Sequence, residues 1–152
     1  MIKRNFRKWF TVVPIAWMVV IFLFSHQTGS ESANLSGNIT AMIIKAVSAL
    51  GIYIEKDLAH SLIRSSAHFL VFFVLGALWY VNFHIKGMES KKAVIISAVI
   101  GIVYAITDEV HQLLVPARAC ELKDVFVDSI GVLLAVCLGH YIKRKNFMEV
   151  EL

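Results

Sequence analysis

The chain has 152 residues, 58% of them hydrophobic and 17% charged, with a mean hydropathy of +0.71 and a formal net charge of +4. Soluble domains run at about 45–50% apolar and about 25% charged, so this excess excludes an ordinary soluble domain and points to a single integral membrane domain. A basic balance can signal nucleic-acid binding, but here the positive charges stand at the ends of apolar runs, as membrane topology requires, and no nucleic-acid partner is expected.

The elements predicted in chain order are helices. The first apolar run is Trp9 to Phe24, "WFTVVPIAWMVVIFLF". It is long for a signal-peptide core and no small-residue cleavage site follows, so a retained anchor is expected. Next, Ile39, Met42, Ile43, Ala46, Val47 and Leu50 recur at helical spacing, with Ser36, Gly37 and Asn38 able to cap the start. This predicts a short amphipathic helix on the membrane surface or folded over the bundle. Gly51 breaks the pattern, and "EKDLAHSLIRSSAHF" leads into the second run, Ala67 to Phe83. The third run, Ala93 to Ile106, borrows Ser90, Lys91 and Lys92 on one side and reaches Asp108 on the other. The fourth is Val125 to Ile142. A membrane crossing takes about 20 residues. The expectation is an all-α, four-span transmembrane helix bundle with spans at about 9–26, 65–83, 91–108 and 125–142, forming one domain over 1–152 without repeats.

Basic residues set the orientation. Lys3, Arg4, Arg7 and Lys8 precede the first run, Lys86, Lys91 and Lys92 join the second to the third, and Lys143, Arg144 and Lys145 follow the fourth. With four spans these ten of the 15 basic residues share one side. The positive-inside rule makes that side the cytoplasm, with both termini there. Of the two cysteines, Cys137 is expected as a small buried hydrophobe, and Cys120 as a free thiol in an outward loop.

Polar residues gather at the opposite ends of the runs: Ser25, His26 and Gln27, then Arg64 and His68, then Asp108, Glu109, His111 and Gln112, then Arg118, Asp124 and Asp128. The i, i+4 spacing puts Arg64 with His68, Asp108 with Gln112, and Asp124 with Asp128 on shared helix faces. Asp128 lies about one turn inside an apolar run, where a carboxylate is costly and usually paired; its natural partners are Arg64, Arg118 or His68, with Arg118 favoured. Gly76, Gly101, Gly131 and Gly139 are expected to let helices approach closely.

The stretches "SHQTGSES", "RSSAHFLVFFVLGAL" and "DEVHQLLVPARACELKDVFVDSIG" resemble the VanZ-like family of bacterial membrane proteins. The matches are Phe24, Ser25 and Gln27; Arg64, His68, Phe69, Leu75 and Gly76; and Asp108, Glu109, Gln112, Pro116, Arg118, Asp124, Asp128 and Gly131. The chain departs from the pattern at Ala117, where members often carry glycine before the arginine, and again just after it. The resemblance implies a four-span bacterial membrane protein linked to low-level resistance to teicoplanin, a lipid-bearing glycopeptide.

Ten residues are therefore candidates for an outward ligand-binding pocket: Ser25, Gln27, Arg64, His68, Asp108, Glu109, Gln112, Arg118, Asp124 and Asp128. Besides the lipid bilayer, the partner expected is an amphiphilic or lipid-linked ligand at the outer leaflet. If the protein is instead an enzyme acting on a lipid-linked sugar or prenyl phosphate, Asp108, Glu109 and His68 are the acid–base candidates and Arg118 the phosphate clamp. No cofactor or metal is expected, although Asp108, Glu109, Asp124 and Asp128 are hard oxygen donors of the kind magnesium or calcium takes. Proton-coupled transport fits less well, because no carboxylate lies at mid-membrane and no inverted repeat is visible.

Overall fold

The computed structural model describes residues 10–150, all helix, turn or irregular chain. The helices are α1 (Val12–Ser25), α2 (Gly29–Ser48), α3 (Lys56–Ile85), α4 (Ser90–Gln112) and α5 (Leu122–Val150). The basic residues Lys3, Arg4, Arg7 and Lys8 and the start of the first expected span lie outside the described residues. Three helices, α3, α4 and α5, are long and apolar enough to cross a membrane, and α1 with α2 makes a fourth crossing if that bent pair counts as one span.

Alone, the 14 residues of α1 rise about 21 Å, short of a hydrocarbon core of about 30 Å. The chain then bends by 100° into α2. Thr28 fixes the bend: its hydroxyl accepts from the Glu31 amide at 3.3 Å, and the Glu31 carboxylate accepts from the Thr28 amide at 2.9 Å. This reciprocal cap satisfies two amides that no helical carbonyl could reach. It also corrects the expected start of α2 near Ser36–Asn38. Ser36 is mid-helix, its hydroxyl turned back onto the Ser32 carbonyl at 2.8 Å.

The other helices outrun the expected spans because their polar ends are helical too. α3 begins nine residues earlier, at Lys56, and α4 carries Asp108 through Gln112 within its last turns. α3 and α5 run parallel and close, and glycine makes this possible. A Cβ on Gly131 would stand 2.5 Å from the Phe69 carbonyl oxygen, and one on Gly76 2.9 Å from that of Val132. Gly101 of α4 receives the Val132 side chain in the same way. Small residues at such crossings let backbones touch where lipid offers no hydrophobic drive to associate.

α1 lies against α3 and α4. The Trp17 indole N–H donates to the Val71 carbonyl at 3.0 Å, and the Tyr104 hydroxyl donates to the Met18 carbonyl at 2.6 Å. Phe72, Leu75, Ala105, Val132 and Ile21 fill the centre. Outside, Ile95, Val99, Val103, Ile106 and Val110 form an exposed apolar stripe along α4. Water would not tolerate a patch of that length, and lipid does. The chain is a multi-pass membrane protein whose outer faces meet the bilayer. Cys137 belongs to this outer surface: it is exposed, not buried as expected, because α5 is apolar on every side and polarity does not mark its inner face.

Candidate functional site

The end of the bundle holding the α3–α4 turn is tied by neutral and basic groups. Ser90 meets the His140 ring at 2.8 Å, and both Asn82 and Lys86 bond Thr11. The buried carboxylates collect at the far end, together with Arg64 and Arg118. There α1 ends, α3 runs through its third and fourth turns, α4 ends and α5 begins, so four elements deliver side chains to one volume.

Its floor is four carboxylates that are almost wholly withdrawn from solvent: Asp108, Glu109, Asp124 and Asp128, with exposures of 5, 0, 2 and 0%. Parallel packing sets two i, i+4 pairs in register. Arg64 Nη2 donates to Asp124 Oδ2 at 3.3 Å, and His68 Nδ1 lies 3.4 Å from Asp128 Oδ1. The other ring nitrogen of His68 is 4.0 Å from Asp124 Oδ2. Glu109 is held by one oxygen only, which accepts from the Glu121 amide at 2.9 Å; its Oε1 has no hydrogen-bond partner.

Arg118 does not pair with Asp128, contrary to expectation. Its Nε donates to the Gln27 carbonyl at 3.2 Å and its Nη1 to Gln112 Oε1 at 3.4 Å, while Gln112 Nε2 donates to Asp108 at 3.4 Å. The reason is the loop between α4 and α5. Ala117 takes a left-handed φ of 57°, and the Gly29 amide bonds the Pro116 carbonyl at 3.1 Å. That anchors the loop over the α1–α2 bend, so Arg118 reaches α1 and α4 rather than α5. Burial and the neighbouring Arg64 hold the Arg118 guanidinium below its usual range, against the pull of Asp108, Glu109 and Asp124. Ala117 occupies the position where the resemblance leads one to expect glycine, and its left-handed backbone is the conformation glycine takes without strain.

A cavity of about 270 Å³ opens above this floor. Seven of the ten candidate residues line it: Ser25, Gln27, Arg64, His68, Asp108, Gln112 and Arg118. Glu109, Asp124 and Asp128 stand behind that lining. The rest of the wall is mostly apolar, from Trp17, Val20, Ile21 and Phe24 of α1, Leu35 and Ile39 of α2, and Ile63, Val71 and Phe72 of α3, with the Ser32 and Ser36 hydroxyls of α2 among them. Sequence reasoning missed the α1 and α2 wall, whose residues look like any other apolar residue of a membrane helix. The T-x-x-E signal at Thr28–Glu31 marked the start of α2, and Leu35 and Ile39 at i, i+4 marked its inner face.

Among the described residues, one group of three metal-competent side chains gathers: His68, Glu109 and Asp128 offer donor atoms all within 4.8 Å of one another. Of the four oxygen donors considered from sequence, Glu109 and Asp128 are in it. His26 and His111 form a separate pair at the surface, their ring nitrogens 3.2 Å apart.

The VanZ/LLP1 family model matches residues 10–143. No curated protein and no solved structure matches the chain.

Proposed function

The chain belongs to the VanZ/LLP1 family, and from that premise we propose that it binds an amphiphile at the outer leaflet and so gives low-level protection against teicoplanin-type glycopeptides. One observation supports this most: the cavity is polar at one end and apolar along its length. Arg64 and Arg118 suit a phosphate or carboxylate headgroup. The walls from Trp17, Phe24, Leu35, Ile39 and Val71 suit an acyl or prenyl chain. The ligand is either the drug's lipid tail with its sugars or a lipid-linked cell-wall precursor.

In this reading the protein is one domain of four spans, the first at about residues 9–26, and both termini are cytoplasmic, since Lys86, Lys91, Lys92, Lys143 and Arg144 gather at the end away from the carboxylates. α2 is the amphipathic cover of the pocket. The ten candidate residues divide into those that meet the ligand and the three acids behind them. A second reading, an enzyme acting on a lipid-linked sugar or prenyl phosphate, draws support from His68 set between Asp124 and Asp128, an arrangement suited to proton transfer.

The test is drug susceptibility in a Gram-positive host without a homologue, with wild type, Asp108→Asn and Arg118→Ala at matched membrane levels. Protection against teicoplanin but not vancomycin, lost in both variants, is expected. Wild-type protein that gives no protection overturns the reading. Turnover of a cell-wall lipid by the purified protein, lost in Asp108→Asn, would favour the enzyme instead.

A further inference from the structure

We propose that His68, Glu109 and Asp128 hold a divalent transition-metal ion, such as zinc, at the base of the cavity. The inference stands on geometry and does not depend on what the cavity binds.

Four observations carry it. First, the spacing fits. Donors bound at about 2.1 Å to one tetrahedral ion lie about 3.4 Å apart, and His68 Nδ1 lies 3.4 Å from Asp128 Oδ1. That same distance is long for a hydrogen bond between an imidazole and a carboxylate. The Glu109 donor completes a group within 4.8 Å, so it needs to close in by about 1.4 Å at most.

Second, Glu109 is fully buried with Oε1 unpartnered, and a carboxylate so placed takes up either a cation or a proton. Third, the supporting contacts are those of a built site. The second ring nitrogen of His68 faces Asp124, which Arg64 holds, and the second oxygen of Glu109 is pinned by the Glu121 amide. Such outer contacts orient metal ligands. Fourth, the charges balance. Four buried carboxylates face two guanidiniums, Arg64 and Arg118, and a divalent ion supplies the missing two positive charges.

One imidazole with two carboxylates suits zinc, manganese or iron better than magnesium or calcium, which take all-oxygen sets. His68 also lines the cavity while Glu109 and Asp128 do not, so the open coordination position faces the cavity. An ion there would stand beside Arg64, ready to polarise a phosphate or carboxylate oxygen.

The test uses full-length protein in detergent, purified without a polyhistidine tag, in a His26→Gln background that removes the surface histidine pair. After stripping with a chelator, zinc alone is titrated by calorimetry, and bound metal is counted by mass spectrometry. One equivalent per chain is expected, weakened at least about 100-fold in Glu109→Gln and in Asp128→Asn, and about 10–100-fold in Asp124→Asn. Glu89→Gln, on an exposed turn, leaves it unchanged. Cobalt in place of zinc is expected to give the visible absorption of a low-symmetry site in the parent and not in Glu109→Gln. Both Glu109→Gln and Asp128→Asn are isosteric, so if one fails to fold the other decides. Parent protein that binds no zinc, or equal affinity in a folded Glu109→Gln or Asp128→Asn, overturns the proposal and leaves protons as the neutralising charge. Either result is read without drug or lipid, so it is independent of the binding reading above.

Discussion

Gly131→Ala tests the helix contact that assembles the site. The new Cβ would stand 2.5 Å from the Phe69 oxygen and 3.1 Å from the Phe73 nitrogen, both main-chain atoms with no side chain to swing away. Ordinary contact begins at 3.4 Å, so α3 and α5 must part by about 0.9 Å at this level. His68 is the neighbour of Phe69, and Asp128 is about one turn from Gly131. The same displacement stretches the His68–Asp128 separation from 3.4 Å to about 4.3 Å, beyond ion-pair range. Overpacking of this kind costs about 1–3 kcal/mol. At about 2–4 °C per kcal/mol for a chain of this size, Tm should fall by about 2–12 °C. Thermal unfolding in detergent micelles, followed by circular dichroism, measures it. Gly37→Ala is the control. It lies mid-helix with nothing within 4 Å, so better helix propensity should raise stability by about 1 kcal/mol. If Gly131→Ala melts at or above wild type, as Gly37→Ala should, then α3 and α5 do not touch there and the reasoning fails.

Ala117→Gly should stabilise by about 1 kcal/mol, since a non-glycine residue at φ 57° carries about that much strain; an unchanged or lower Tm would show that the loop is unstrained. Cys120, in the loop between α4 and α5, should react with a membrane-impermeant maleimide on intact cells of a Cys137→Ser strain. Labelling only after permeabilisation would place that loop in the cytoplasm and reverse the proposed orientation.

The helices that cross the membrane were legible because lipid demands long apolar runs, and the basic residues at their ends were legible because charge must stay out. Partnerships inside the site were less so. Arg118 looked closest to Asp128 along the chain, but backbone geometry at Ala117 and the tie between Gly29 and Pro116 turn it toward Gln27 and Gln112. The pairing that does form was written in the spacing: Arg64 and His68 on α3 repeat the i, i+4 step of Asp124 and Asp128 on α5. It becomes visible only once Gly131 is known to set the two helices parallel and close. Cys137 and the α1 wall of the cavity share a different difficulty. In a membrane helix the core face and the lipid face are both apolar, so hydropathy cannot say which way a residue points.

The separation of the paired groups along the chain has a consequence for biogenesis. Asp124 and Asp128 lie 60 residues after their counter-groups Arg64 and His68. A lone carboxylate near the start of an inserting helix meets resistance from lipid, up to about 2.5–3.5 kcal/mol at full depth. During synthesis α3, with Arg64 and His68, emerges before α5 and its acids. α5 therefore slots against a receptor made before it, and the order of translation itself acts as an assembly instruction. A chain whose α3 lacked Arg64 would leave the acidic end of α5 at the water interface.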